Sequence, residues 1–373
     1  MTKLGFAFNF NIQRCEIEVG DEKRIIDEGY RPLLDLFVKY GLKADFFLSG
    51  FTSELLQKMD PELLEDIKHH VGKELELGTY TYTHPIPQLL IPKEFSMQME
   101  KGMELDRSIL GVETKGFLPP EFAFSQEMGE VLYDQGIDWF VALSSQVQKG
   151  LQKAGIVQDP YIPCKVDLGS GKSLLVVPAI YQLPDTPQRF FKLMMKGLLP
   201  VDTVIEGIKK FAELHPDGVL LLKRDGETIF IDKFNSGFEG TLAVMDEFIE
   251  KISKLDIVEP IWISEALSSR EALAVISLPD YLGNTNIETF TSGAAQAIWD
   301  LTQEVRNKIL EAEKAGKDPA IIKKAWEYLM LSHNSDGRIG YWFSEWNPGE
   351  HTVAPGRRQF VEDNLQAALN LLN

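Results

Sequence analysis

Four stretches of this sequence turn polar abruptly where an apolar run ends. Gly116-Phe117-Leu118-Pro119-Pro120 leads directly into Glu121, which is followed by Phe122 and Phe124. Val219-Leu220-Leu221-Leu222 ends in Lys223-Arg224-Asp225-Gly226-Glu227, two carboxylates on either side of a glycine. The third run holds Glu76 and is followed at every second position by Tyr80, Tyr82 and His84. The first run ends in Asn9 and Asn11, also at period two, so that one face of a strand presents two amides. In parallel α/β folds the side chains that do chemistry stand at the carboxyl ends of strands. Glu76, Glu121, Asp225 and Glu227 are therefore expected to converge on one rim. Two converging carboxylates suit glycoside hydrolysis, in which one attacks the anomeric carbon and the other protonates the leaving oxygen; a retaining enzyme holds them roughly 5–5.5 Å apart. The two prolines fix the backbone before Glu121. The like charge of Glu121 is expected to raise the pKa of Asp225 and fit it to serve as the acid. Amides, phenols and an imidazole suit hydrogen bonding and stacking to a sugar ring. Each motif also has a plain structural reading: Glu121 as an N-terminal charge on the next helix, Asp225-Gly226 as a solvated turn, Tyr80 and Tyr82 as barrel rim, and Asn9 and Asn11 as satisfied buried amides.

These motifs need a frame that aligns strand ends. Candidate strands fall at Leu4–Phe10, Ala44–Ser49, Leu75–Thr79, Gly116–Leu118, Trp139–Leu143, Ser173–Ile180, Val219–Arg224 and Pro260–Ser264, rich in Phe, Val, Ile and Leu as strands buried on both faces should be. Helical patterns lie between them at Tyr30–Tyr40, Glu94–Leu110, Ser125–Gln135, Val201–Leu214 and Glu239–Leu255. Such alternation means βαβ units and a parallel sheet, and seven or eight units fit a closed or nearly closed barrel better than an open sheet. No GxGxxG follows the first strand, so the dinucleotide fingerprint is missing. After Leu267 the pattern becomes helical, with candidates at Ser292–Ala315, Ala320–His333 and Gln359–Leu372, so residues 1–268 read as a catalytic barrel and 269–373 as a helical C-terminal domain. The polar, aromatic loop from Asn334 to Gly356 holds Asp336, Trp342 and Trp346; a loop this long without structure is uncommon and often functional.

The chain has 373 residues and a formal charge of −18, from 56 acidic and 38 basic residues. That balance argues against a nucleic acid or an anionic membrane surface as partner and fits a neutral or cationic ligand. No apolar run approaches the roughly 20 residues of a membrane span, and Met1–Phe10 is too short for a secretory signal, so a cytoplasmic location is expected. The two cysteines, Cys15 and Cys164, are expected to be free thiols, and no His/Cys spacing suggests a metal.

In order along the chain, the motifs resemble those of glycoside hydrolase family 57. Glu74-Leu75-Glu76-Leu77-Gly78-Thr79 with Tyr82-Thr83-His84-Pro85 looks like its second motif, Gly116–Glu121 like its third, Asp225-Gly226-Glu227 like its fourth, and Asn334-Ser335-Asp336 before Tyr341-Trp342 like its C-terminal helical motif. The resemblance implies an incomplete (β/α)7 barrel with a C-terminal helical segment and a retaining α-glycosidase or α-glucanotransferase. It further implies Glu121 as nucleophile and Asp225 as proton donor. Asn9, Asn11, Glu76, Tyr80, His84, Glu227, Asp336 and Trp342 would then bind the carbohydrate, with no cofactor or metal. One departure is plain: the family's first motif is rich in histidine, and here those places read Asn9 and Asn11, which points away from standard α-1,4-glucan specificity. Residues 30–50 and 78–85 also resemble polysaccharide deacetylases, but the residues at that family's metal-site positions are Asn9, Asn11 and Tyr80, with only His84 kept. A non-catalytic carbohydrate-binding protein is the third reading.

Overall fold

In the computed structural model, residues 1–14, 17–181, 183–267, 273–281, 283, 286–339, 342–344, 347–351 and 353–373 are described, with backbone alone for 233–234, 342–344 and 347–351. Ten strands form one sheet: β1 Thr2–Phe10, β2 Ala44–Leu48, β3 Leu75–Thr79, β4 Gly116–Phe117, β5 Trp139–Leu143, β6 Cys164–Gly169, β7 Lys172–Ala179, β8 Val219–Asp225, β9 Val258–Ile261 and β10 Val275–Ile276. Their order is β10-β6-β7-β5-β4-β3-β2-β1-β8, with β9 paired to the start of β1. The seven strands β1, β2, β3, β4, β5, β7 and β8 follow one another in parallel around a barrel. β7 and β8 come alongside each other without ladder pairing, so the barrel is incomplete.

The alternation in β1 shows why this sequence makes a barrel wall. Phe6, Phe8 and Phe10 point outward into the core under the helices, where the Phe6 and Phe8 rings meet Phe37 edge-on at 5.2 and 5.5 Å. Ala7 points inward with Phe47, Trp139, Val141, Val177 and Leu221, which fill the barrel. Asn9 continues the inward row at the carboxyl end. At the open seam, β8 would leave a backbone N–H and C=O without partners, which is costly when buried. The Gln188 side chain fills that role: its Oε1 accepts from Lys223 N–H at 2.9 Å and its Nε2 donates to Lys223 C=O at 2.7 Å.

The helical expectations hold closely. Val201–Leu214 has the expected ends, Arg31–Tyr40 and Thr241–Ile252 lie within theirs, and Gln126–Asp134 is capped by Ser125, whose Oγ accepts from Met128 N–H. Two strands were not expected from buried apolar runs. β6 alternates buried and exposed positions and returns antiparallel on β7, and β10 adds to its far edge. The Asn334–Gly356 segment also differs from a structureless loop, because it contains a short helix, Ser335–Arg338, and the antiparallel pair Trp342–Ser344 and Asn347–His351.

Helices Gln296–Lys314, Pro319–Ser332 and Pro355–Leu372 pack through Ile298, Val305, Ile309, Trp326, Leu329, Val361 and Leu365. Polar contacts fasten them to the barrel. Arg306 grips the fully buried Glu94 with Nε at 2.7 Å and Nη2 at 2.6 Å, and Arg357 Nε donates to Ile17 C=O at 2.8 Å. Burial works against charge on Glu94, but His333 and the Arg306 fork outweigh it and hold the carboxyl down to about 2. No helix among the described residues is long and apolar enough to cross a membrane.

Candidate active site

The site forms where β1, β3, β4 and β8 deliver their carboxyl ends. Register sets Asn9 beside Asp225 on one side and beside Phe47 on the other. After β4 the chain turns at Pro120–Phe122, with Glu121 at φ 54° and Phe122 at φ 57°. This left-handed backbone is strained for residues with a Cβ and persists only when its surroundings hold it. Tyr281 and Gly283 provide the hold. Phe124 and Tyr281 exchange backbone hydrogen bonds at 2.9 and 2.8 Å, and a Cβ on Gly283 would come within 2.4 Å of the Glu121 carbonyl oxygen. After β3, Thr81 (φ 64°) and His84 (φ 58°) are strained in the same way. Four of the seven non-glycine residues with positive φ among those described thus sit in the loops after the neighbouring strands β3 and β4.

Around the mouth the polar groups are linked. The Tyr80 hydroxyl and His84 Nε2 are 2.7 Å apart, and His84 Nδ1 lies 2.9 Å from Ser335 Oγ and 3.4 Å from Asp336 Oδ2. Asn11 Nδ2 donates to Asp336 Oδ2 at 2.6 Å, and Asn334 Nδ2 donates to Thr83 C=O at 3.1 Å. The short helix after the second bundle helix therefore brings Asp336 to the barrel mouth. Burial first, and then the negative charges of Glu121, Asp225, Glu227 and Asp336, push the Tyr80 phenol well above its ordinary range. Tyr181, two residues beyond β7, is raised by burial, Asp225 and Glu121. Lys223 Nζ, 2.7 Å from Asp225 Oδ1, also stands 5.8 Å from the centre of the Phe122 ring, so the ends of β4 and β8 that carry Glu121 and Asp225 meet at the barrel mouth.

The electrostatics of Asp225 run opposite to expectation. Burial would raise its pKa, but the charges of Lys223, Arg14 and Arg224 hold it well below the usual carboxylate range. Arg14 Nη1 stands 2.8 Å from Asp225 Oδ2, and Lys223 Nζ stands 2.7 Å from Oδ1. Glu227 takes the opposite state. It is 2% exposed, accepts from Asn11 N–H at 3.3 Å and lies 3.7 Å from Arg14; burial and the neighbouring Asp225 raise it to about 8. At neutral pH the pair therefore carries one proton, and it rests on Glu227. Gly226 between them is required by packing: a Cβ there would meet the Phe10 ring at 2.5 Å.

Of the expected site residues, Asn9, Asn11, Tyr80, His84, Glu121, Asp225, Glu227 and Asp336 come together. Glu76 does not. In register it sits level with Asp45, Ala7 and Lys223, one layer below the mouth, where it accepts from Ser264 N–H at 3.3 Å and shares a hydrogen bond with buried Asp45. The Trp342 side chain and all of Trp346 lie outside the described residues, as does Cys15. Cys164 is a buried free thiol. Arg14, Tyr181, Lys192 and Lys223 belong to the site and were missed by a reading that sought carboxylates. Tyr181 could have been found from its place directly after β7. Asn9 Oδ1 is buried with no hydrogen-bond partner, an acceptor that a ligand hydroxyl would satisfy. Among the described residues no three His, Cys, Asp or Glu side chains are grouped to hold a metal ion.

An incomplete parallel barrel with carboxylates clustered at its mouth defines the class as a carbohydrate-active α/β fold. The profile of glycosyl hydrolase family 57 matches residues 10–279, and the chain belongs to that family. The 4-alpha-glucanotransferase of Thermococcus litoralis superposes with a TM-score of 0.74 at 17% identity, over 100% of this chain and 60% of that one. The alpha-amylase AmyC of Thermotoga maritima gives 0.71 at 12% identity, over 99% and 92%. At these identities the likeness shows the fold. A peptidoglycan deacetylase of Helicobacter pylori is 29% identical over 111 residues, 30% of this chain and 36% of that protein. The chain thus spans about a third of the length of that curated relative.

Proposed function

We propose that this protein is a retaining α-glycosidase or α-glucanotransferase that works through a glycosyl-enzyme intermediate. The observation that supports the reading is Lys223, whose Nζ lies 2.7 Å from Asp225 Oδ1 and 5.8 Å from the centre of the Phe122 ring, the residue after Glu121, so that both carboxylates belong to one mouth. Glu121 attacks the anomeric carbon as the bond to the leaving oxygen breaks. Asp225 gives that oxygen its proton. In the second step Asp225 takes a proton from water, or from an acceptor sugar hydroxyl, and the incoming oxygen displaces Glu121 from the anomeric carbon. Asp225 is ionised in the resting site, so it must first receive a proton. Glu227 holds one, and any ligand that draws Arg14 away from Asp225 weakens the hold on its charge. Asn9, Asn11, Tyr80 and His84 line the reactive subsite, and Asp336 reaches it from the helical segment.

The deciding experiment compares Glu121→Gln and Asp225→Asn on nitrophenyl α-glycosides and malto-oligosaccharides. Glu121→Gln should abolish turnover while saccharide binding persists. Asp225→Asn should lose roughly 10²–10⁴-fold on oligosaccharides and less on nitrophenyl substrates, whose leaving group needs little protonation. Wild-type turnover in either variant would overturn the assignment.

A further inference from the structure

The short helix Ser335–Arg338 faces two ways. Its first residues serve the mouth, where Ser335 Oγ and Asp336 Oδ2 meet His84 Nδ1 and Asp336 also accepts from Asn11. Its last residue turns into the helical segment. Arg338 is 1% exposed; its Nη2 donates to Thr302 Oγ1 at 2.7 Å, and its Nη1 donates to Ser332 C=O at 3.1 Å and to His333 Nδ1 at 3.0 Å. The acceptors are prepared for this. The Thr302 hydroxyl gives its own hydrogen to Ile298 C=O at 2.7 Å, which leaves its oxygen to accept. Burial holds the His333 imidazole down to about 4, so it is uncharged at neutral pH and its Nδ1 can accept.

Four residues make too few backbone hydrogen bonds for a helix to stand alone, so this one is fixed from outside. Asn334 ties its start to Thr83. At its end Arg338 ties it to two bundle helices, to Gln296–Lys314 through Thr302 and to Pro319–Ser332 through Ser332. Gly337 lies so close to the final helix that a Cβ would come within 2.8 Å of Arg357 C=O. A salt bridge is not what the arginine serves. Among the described residues no carboxylate pairs with Arg338, and its Nε is buried with no acceptor. Burial and the charge of Arg306 push the guanidinium down to about 10, against the pull of Glu94. A buried charge on neutral acceptors is costly, and stability alone is often served as well by an apolar side chain. We infer that Arg338 is a positioning residue for the carbohydrate site: through the Ser335–Arg338 helix it sets the reach of Asp336 to Asn11 and His84, and so ties substrate binding to the helical segment. The inference rests on the glycosidase reading only for the nature of the ligand.

The test reads position and binding separately. Arg338→Met removes the donors and keeps the bulk, and Thr302→Val removes one acceptor and keeps the charge. Melting curves verify folding, and Thr302→Val carries the test if Arg338→Met does not fold. The crystal structure of Arg338→Met should show Asp336 Oδ2 drawn out of hydrogen-bond distance from Asn11 Nδ2 with β1 and β3 in place, and Thr302→Val should show a smaller displacement in the same direction. KM for malto-oligosaccharides should rise at least fivefold in Arg338→Met, by a larger factor than kcat falls, and less in Thr302→Val. Adding Arg338→Met to Asp336→Ala should raise KM no further, because the two act through one contact. A role in folding alone would make the two losses additive. Asp336 in its wild-type place in both variants, an unchanged KM, or additive effects overturns the proposal. A wild type that turns over no malto-oligosaccharide and no nitrophenyl α-glycoside would sink the glycosidase reading, and the crystal structures would still decide this inference.

Discussion

Replacing Glu227 by Gln isolates the buried proton at the centre of the site. In the fold this carboxyl is raised from 4.5 to about 8 by burial and by Asp225. A group raised in the folded state binds its proton more tightly there than in the unfolded chain. Its stabilising contribution is full below pH 4.5 and is lost as pH rises through 8. Across that window the loss approaches about 1.4 kcal/mol per pH unit, and it totals on the order of 3–4 kcal/mol between pH 5 and pH 8. With an unfolding entropy of roughly 2 cal/mol/K per residue, that corresponds to about 4 to 5 °C in melting temperature for a chain of this length. The Gln side chain keeps the shape and an acceptor for Asn11 N–H, and it cannot ionise. Melting curves at half-unit steps from pH 5 to pH 8 should therefore show wild type falling about 4 to 5 °C further than Glu227→Gln over the range. Parallel curves would refute the placement of the proton on Glu227, and with it the account of how Asp225 is supplied.

Two further substitutions test the frame. Gln188→Ala removes the amide that serves the unpaired edge of β8, leaving the Lys223 N–H and C=O without partners; urea unfolding should show a loss of about 1–3 kcal/mol. Arg306→Met leaves Glu94 charged and buried at the junction of barrel and bundle, and the same measurement should show about 3–5 kcal/mol, recovered largely by a second change of Glu94 to Gln.

Much of the barrel was legible because its strands are buried on both faces, and such strands stand out as unbroken apolar runs in β1, β5 and β8. β6 was missed for the opposite reason. Its alternation of Cys164, Val166 and Leu168 with Lys165 and Asp167 marks a half-exposed strand, which a search for apolar runs passes over. The carboxylates at strand ends were legible from position alone, and eight of the expected site residues meet at the mouth. Glu76 misled because sequence shows that a carboxylate sits in a strand but not at which end. Register with Asp45 settles that, and register is a property of pairing. The direction of the Asp225 pKa was legible only in part: Lys223, first among the charges that lower it, is two positions away in the sequence, whereas Arg14 is more than two hundred positions away and is brought within 2.8 Å by the fold. Gly226 and Gly283 make the same point, since a distant ring and a distant carbonyl decide why no side chain fits there.

The most direct test of the central claim is to trap the intermediate. Wild-type enzyme incubated with a 5-fluoro-α-glycosyl fluoride of its preferred sugar should accumulate a covalent glycosyl adduct, and peptide mass spectrometry should place it on Glu121, with no adduct in Glu121→Gln. An adduct on Asp225 or Glu227, or multiple turnovers by Glu121→Gln on ordinary substrates, would contradict the account.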